Sequence, residues 1–293
     1  MVLLRNELPV SRNGPVRSLH LDQACNQLTG KTKIGTCGFG VARAKYARTF
    51  SCVEVQHTFY QPPRLTTLER WRTEMPADFE FTLKAWQLIT HEAKSPTYRR
   101  LKRKLSESEK AEAGYFKATT IVNEAWGATL ASAKVLKAKT ILFQCPSSFK
   151  QTAENIASME KFFCSIDRQD LNLCWEPRGD WDAEVIRSIC VSLELCHVVD
   201  PFIGKTVTPD KYYFRLHGRS DGRYQYELGE LKELASSLVK SGCGYVFFNN
   251  RTEDALKFCK LLGDRKHESN PLRSNSPSET TFIKSRFSLN DRH

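Results

Sequence analysis

Short apolar runs, each followed by a stretch of helical spacing, recur from Lys33 to about residue 263. Ser51–Tyr60 sets Val53 and Val55 against Glu54 and Gln56. Phe79–Ile89 sets Phe81, Leu83 and Ala85 against Thr82, Lys84 and Trp86. This period of two predicts strands with one face apolar. Lys33–Gly40, Thr140–Pro146, Leu171–Trp175, Leu195–Asp200, Lys211–Gly218 and Gly244–Asn250 read as six more strands, several apolar throughout, as in a sheet covered on both faces. Between them run helical stripes: Leu68, Trp71 and Met75; Ile121, Val122, Ala125, Trp126, Leu130 and Ala133 in a helix from Tyr115 to Leu136; Ile156, Met159 and Phe163; Val185, Ile186 and Ile189; Leu231, Leu234, Leu238 and Val239. Thr66 with Glu69 has capping-box spacing, and Thr152 and Asp182 stand at N-cap positions. Gly242 and Gly263 follow the last residues of their helices.

Strands alternating with helices imply a parallel sheet with right-handed crossovers. About eight such units in roughly 230 residues predict an α/β fold, a single TIM-like (β/α)8 barrel, over a doubly wound open sheet. The barrel should span residues 32–263. Residues 1–31 read as a flexible N-terminal extension, and the Ser-, Asn- and Pro-rich residues 264–293 as a disordered C-terminal tail.

Charge refines this picture. The net charge is +11, but Lys94–Lys110 alone holds seven basic and two acidic residues, whereas residues 151–200 hold four basic and ten acidic. The basic excess is one local segment, expected to be helical. Its core, Tyr98-Arg-Arg-Leu-Lys-Arg-Lys104, is either a solvated face or a contact for nucleic-acid phosphates. Hydrophobic content of 40% excludes a disordered chain, and no apolar run reaches 18 residues, so neither a membrane span nor a membrane partner is expected. Ten cysteines without a C-x-x-C pair, several inside apolar runs, fit reduced buried thiols in a cytoplasmic protein.

A barrel carries its chemistry at the carboxyl ends of its strands, and polar residues collect there. The stretch Leu171-Asn-Leu-Cys-Trp-Glu-Pro-Arg-Gly-Asp-Trp181 runs from a buried strand to Glu176 and Arg178, with Pro177 ending the ladder between them. Around these two the expected site gathers Glu54, His91, Asp200 and His217 as acid–base candidates. Lys84, Arg178, Arg215, Gln144, Gln56, Tyr60, Asn249 and Asn250 are the ligand-binding candidates. Three cations facing two or three carboxylates suit a small anionic or phosphorylated ligand, carrying a phosphate or a carboxylate, since Arg forks bind such groups bidentately. The loop Gly218–Arg223 follows the seventh strand, where barrels often hold phosphate. Lys84 serves as a charged anchor in this reading; desolvation would instead make it a Schiff-base amine. No cofactor is expected. A metal on Glu54, Glu176, Asp200 and His217 is disfavoured, because the cations sharing the rim repel a dication. The turn Gly35–Gly40 is not a G-x-G-x-x-G loop.

Six motifs in order, Glu54-Val-Gln-His-Thr-Phe-Tyr60, Lys84-Ala with Ile-Thr-His91, Phe143-Gln-Cys-Pro-Ser-Ser-Phe149, Trp175-Glu-Pro-Arg178, Tyr213-Phe-Arg-Leu-His-Gly218 and Val246-Phe-Phe-Asn-Asn250, resemble the YecE-like family (domain of unknown function 72) over residues 33–262. The resemblance implies a TIM-barrel-like fold and brings no established reaction. Gln56-His57 stands where Asn-Ser is expected, and Cys37-Gly-Phe39 where Ser-Gly-Trp is usual. The function expected is hydrolysis of a phosphoester or glycosidic bond. The alternatives are a non-catalytic nucleic-acid binder using residues 94–110, or a metal-dependent barrel of the nuclease or isomerase kind. Glu176 with Arg178 could equally be a scaffold ion pair, in which case removing either would cost roughly 3–5 kcal/mol.

Overall fold

The computed structural model describes residues 32–218, 224–238, 242–249 and 252–268. Eight strands form it: β1 (Thr32–Thr36), β2 (Cys52–Val55), β3 (Glu80–Lys84), β4 (Thr140–Gln144), β5 (Asn172–Glu176), β6 (Cys196–Val199), β7 (Lys211–Leu216) and β8 (Cys243–Phe248). All pair in parallel, in the order β1-β8-β7-β6-β5-β4-β3-β2. The circle is nearly closed: β1 meets β2 through a parallel bridge between Cys37 and Glu54, with Gly38 N donating to Glu54 O at 2.8 Å. This is the α/β, TIM-like barrel that the alternation predicts. Between β6 and β7, residues 201–210 form turns rather than a helix.

Side chains divide by strand parity. One set, including Leu83, Ile141, Phe143, Leu173, Trp175, Phe214 and Val246, packs outward in the core shared with the helices. The other fills the barrel with a separate cluster of Cys37, Cys52, Leu142, Cys174, Val198, Tyr213 and Phe247. Rings from β7 and β8 stack there, Tyr245 on Phe247 at 5.5 Å and Tyr213 against Phe247 at 5.1 Å. That cluster plugs the barrel below its upper end, and the polar inward residues stand above it.

Several boundaries differ from the expectations. Strands β2 and β3 stop early because His57–Tyr60 and Gln87–Thr90 are single helical turns whose buried residues prolong the apolar run. The long helix begins at Thr120 rather than Tyr115, since Gly114, Tyr115 and Phe116 all adopt positive φ. Gly114 N and Phe116 N donate to Leu88 O and Ile89 O, each at 2.8 Å, which ties this left-handed turn to β3's exit. A Cβ on Gly114 would lie 2.4 Å from the His91 carbonyl. The helix Leu65–Thr73 is capped by Arg64 without a side-chain bond, so Thr66 and Glu69 form no capping box. One forms instead at Ser106 and Glu109. The basic segment is not helical throughout: a 3-10 turn, Pro96–Arg100, precedes an irregular stretch and the helix Glu107–Glu112. The last helix, Thr252–Glu268, passes Gly263. Residues 1–31, 219–223, 239–241, 250–251 and 269–293 lie outside the described residues, and with them the expected flexible extension, most of the disordered tail and most of the Gly218–Arg223 loop.

Asp182 caps the helix Ala183–Ser192, its Oδ1 accepting from Glu184 N at 2.9 Å and Val185 N at 3.1 Å. Asp182→Ala should cost about 1 kcal/mol, a fall of about 2–4 °C in melting temperature. A melting point unchanged by calorimetry would show the cap to be dispensable. Among the described residues eight cysteines are free, five of them buried. No described helix is long and apolar enough to cross a membrane.

Candidate functional site

Parity and the Pro177 stop bring Glu54, Lys84, Glu176 and Arg215 to the inner face at the carboxyl ends of β2, β3, β5 and β7, each no more than 5% exposed. Arg215 is the hub. Its Nε and Nη2 clasp the two oxygens of Glu54 at 2.9 and 2.8 Å, and its Nη1 donates to Glu176 Oε2 at 2.6 Å. Glu54 also accepts from the Tyr213 hydroxyl at 2.6 Å and from Gln56 Nε2, so all its lone-pair directions are used. Glu176 Oε1 faces Arg178 Nη2 at 2.7 Å and His217 Nε2 at 3.1 Å. The result is a chain of alternating charge, Glu54, Arg215, Glu176, Arg178, crossing the barrel mouth. Burial pushes the Glu176 carboxyl up, but Arg215, the His217 hydrogen bond and Arg178 outweigh it and hold the group well below the usual carboxylate range.

Arg178 Nη2 also lies 2.8 Å from His217 Nε2. That nitrogen either accepts from Arg178 or donates to Glu176, so the histidine tautomer is coupled to the position of the arginine. Arg178 Nε is buried with no hydrogen-bond partner.

Above the network opens a cavity of about 610 Å³. Of the residues expected at the rim, it is lined by Gln56, Tyr60, Lys84, Gln144, Arg178, Arg215, His217 and Asn249. Glu54 and Glu176 lie beneath this lining, engaged with Arg215. Two acid–base candidates stand apart from it. Asp200 accepts from His217 N at 2.9 Å and Phe202 N at 3.0 Å, fastening the end of β7. His91 is packed edge-on against Phe59 at 4.9 Å, its Nδ1 2.8 Å from the Thr90 hydroxyl. Burial, with Lys84 adding to it, lowers the His91 pKa to about 3, so its ring is neutral. Asn250 lies outside the described residues.

Two basic lining residues were not anticipated. Arg100, from the basic segment, stands over the Tyr60 ring at 3.5 Å and reaches the cavity. His57, on the turn after β2, sits at the mouth; burial and then Arg100 lower its pKa. The signal for Arg100 was its place in a cationic run after β3, but only the fold of residues 91–100 shows which of those cations turns inward. The wall is completed by Thr36, the turn Cys37–Gly40 and Thr252 at the start of the last helix.

The cations on this wall are unequally neutralised. Arg215 and Arg178 are balanced by Glu54 and Glu176. Lys84 and Arg100 have no ionic partner among the described residues; Lys84 Nζ instead lies 3.6 Å from the centre of the Phe59 ring. As to metals, Glu54 and Glu176 are bound to arginine, and no group of three or more His, Cys, Asp or Glu placed to hold an ion occurs among the described residues.

No curated protein matches the chain. Among solved structures, a DUF72 family protein from Enterococcus faecalis V583 superposes with a TM-score of 0.61 at 22% identity, covering 80% of this chain and 99% of that one. A DUF72 family protein from Thermotoga maritima MSB8 gives 0.58 at 22% identity, covering 79% and 99%. These likenesses bear on the fold, and they agree with the barrel described above. The family model described as "Protein of unknown function DUF72" matches residues 42–280, a span holding β2 to β8, the charge network and most of the cavity wall, and the chain therefore belongs to the DUF72 family.

Proposed function

We propose that this barrel is an enzyme acting on a small anionic, phosphorylated substrate held in the cavity above Arg215. The observation that carries the proposal is the imbalance on the cavity wall. Lys84 and Arg100 are unpaired among the described residues, Arg178 is only partly engaged, and the carboxylates that could repel an anion are turned below and neutralised. Such a surface attracts phosphate, and Arg178 and Arg100 supply forked donors for it. Of the two hydrolytic reactions, phosphoester cleavage is favoured. Glycoside hydrolysis needs two carboxylates facing one substrate, and Glu54 is fully buried and spent on Arg215, Tyr213 and Gln56. His217, oriented by Glu176 and lining the cavity, is the group placed to take a proton from an attacking water.

Thermal-shift measurements with inorganic phosphate, sugar phosphates, nucleotides and oligonucleotides test the binding, and phosphate release from those that bind tests the reaction. Small phosphates should stabilise the protein by about 2.7 kcal/mol at 100 times their dissociation constant. Stabilisation by oligonucleotides alone, falling steeply with salt, would replace this reading with nucleic-acid binding through Arg99, Arg100, Lys102 and Lys104, none of which has an ionic partner among the described residues. Binding of small phosphates without turnover would leave a receptor rather than an enzyme.

A further inference from the structure

Lys84 is the inward residue that the charge network does not use. It ends β3, is 5% exposed, borders the cavity, and has neither a hydrogen bond nor an ion pair among the described residues. A buried ammonium without a counter-ion is costly, and losing its proton relieves the cost. Every charged or titratable neighbour acts in a known sense. Arg215 from β7 disfavours the ammonium, whereas Glu176 from β5 and Glu54 from β2 favour it; the Cys37 thiol beyond β1, pushed up by burial, stays neutral. Both carboxylates are already clasped by Arg215, and buried His91 is neutral. A lysine kept for charge alone would be expected to reach one of these carboxylates; this one rests on a phenyl ring.

We infer that Lys84 is the nucleophile of an imine-forming site, and that the cavity takes a carbonyl compound bearing an anionic group, an open-chain sugar phosphate or a 2-oxo acid. The inference rests on the anion-pocket reading alone and goes beyond the hydrolytic step, since imine formation breaks no phosphoester bond. The Nζ lone pair adds to the carbonyl carbon, and the carbonyl oxygen gains a proton to give a carbinolamine. Nitrogen then gives up its proton as the hydroxyl departs protonated. One carbonyl and one amine thus become one carbon–nitrogen double bond and one water, with no change of oxidation state. His217 and His57 border the same cavity and can carry that proton, while Arg100 and Arg178 hold the anionic group. Burial and Arg215 bring the Lys84 pKa down to about 7, so about half the amine is neutral at pH 7. An ordinary lysine, near pKa 10.4, is neutral about a thousandfold less often there.

The test uses the full chain with D-glyceraldehyde 3-phosphate or pyruvate and cyanoborohydride, read by peptide mass mapping. Thermal shifts with glycerol 3-phosphate, which has no carbonyl, run in parallel. Expected is one reduced adduct, on Lys84, formed at pH 7 at least about a hundredfold faster than on surface lysines, as the neutral fractions require. Its rate should level off above pH 7, whereas surface labelling keeps rising. The two carbonyl probes tell phosphate from carboxylate recognition. Lys84→Met and Lys84→Arg should lose the adduct; mapping the wild-type chain decides the matter even if a variant fails to fold. Glycerol 3-phosphate stabilisation with no Lys84 adduct overturns the imine and leaves the anion pocket standing. Neither stabilisation nor adduct overturns both, and an adduct confined to surface lysines overturns the imine.

Discussion

Replacing Arg215 with methionine lowers the stability of the barrel by roughly 3–5 kcal/mol, the cost of stranding buried charge. The side chain is 2% exposed and binds Glu54 through two nitrogens and Glu176 through the third. Glu54 would then keep the Tyr213 hydroxyl and the Gln56 amide, but no cation. At about 2–4 °C per kcal/mol for a domain of this size, the melting temperature falls by on the order of 10 °C. The difference should depend on pH. Arg178, His217 and above all Arg215 hold Glu176 well below the usual carboxylate range, so its stabilising contribution is present above the unfolded pKa of about 4.3 and is lost as pH falls below it. In the variant Glu176 keeps its burial but loses Arg215, the largest influence holding it down, so its carboxyl moves up and protonation relieves it. The gap between the two proteins therefore narrows as pH drops from about 7 to about 4. Urea melts across that range check both statements, and a variant within 1 kcal/mol of the wild type at pH 7 would show that the network is not what holds the mouth together.

Arg178→Ala should abolish stabilisation by phosphate while moving the free protein by less than about 1 kcal/mol, the range of a partly exposed pair. The pair Glu176–Arg178, which in the sequence alone is either scaffold or site, is unequally buried. Arg178 keeps 38% of its side chain exposed against 5% for Glu176, and Glu176 retains Arg215 when Arg178 is removed. Glu176→Gln leaves less: it weakens the bonds to Arg215 and His217 inside the barrel and should cost roughly 1–3 kcal/mol. Thermal melts of both variants with and without inorganic phosphate separate the roles. Equal destabilisation by both would return Arg178 to the scaffold, and undiminished phosphate stabilisation in Arg178→Ala would remove it from the site.

Local pattern carried much of this molecule. The eight strands were legible because each is a run of apolar residues at period two or buried on both faces. The caps at Thr152 and Asp182 were legible because they act within three residues of themselves. The same locality explains the misses. Gln87–Thr90 is as buried as the strand it follows, and Thr58 and Phe59 continue the buried run of β2, so the apolar pattern alone could not mark the change to helix. Nothing within Tyr115–Phe116 announces a left-handed turn, because the bonds that impose it come from Leu88 and Ile89.

The sequence by itself determined which side chains could reach the mouth, since strand parity and the stop at Pro177 place Glu54, Lys84, Glu176 and Arg215 on inward positions near strand ends. Only the tertiary structure decided what each does there. Glu54 and Arg215 are 161 positions apart, and their pairing depends on how far the strands are staggered around the closed barrel. That stagger gives Arg215 both carboxylates and leaves Lys84 without one. It also sets Asp200 and His91 aside from the cavity and, with the path of residues 91–100, turns Arg100 into it. A period of two specifies a face. Which neighbour a buried charge meets across the barrel is fixed by closure, because the low-dielectric interior makes every such charge answer to whichever partner the geometry brings within reach.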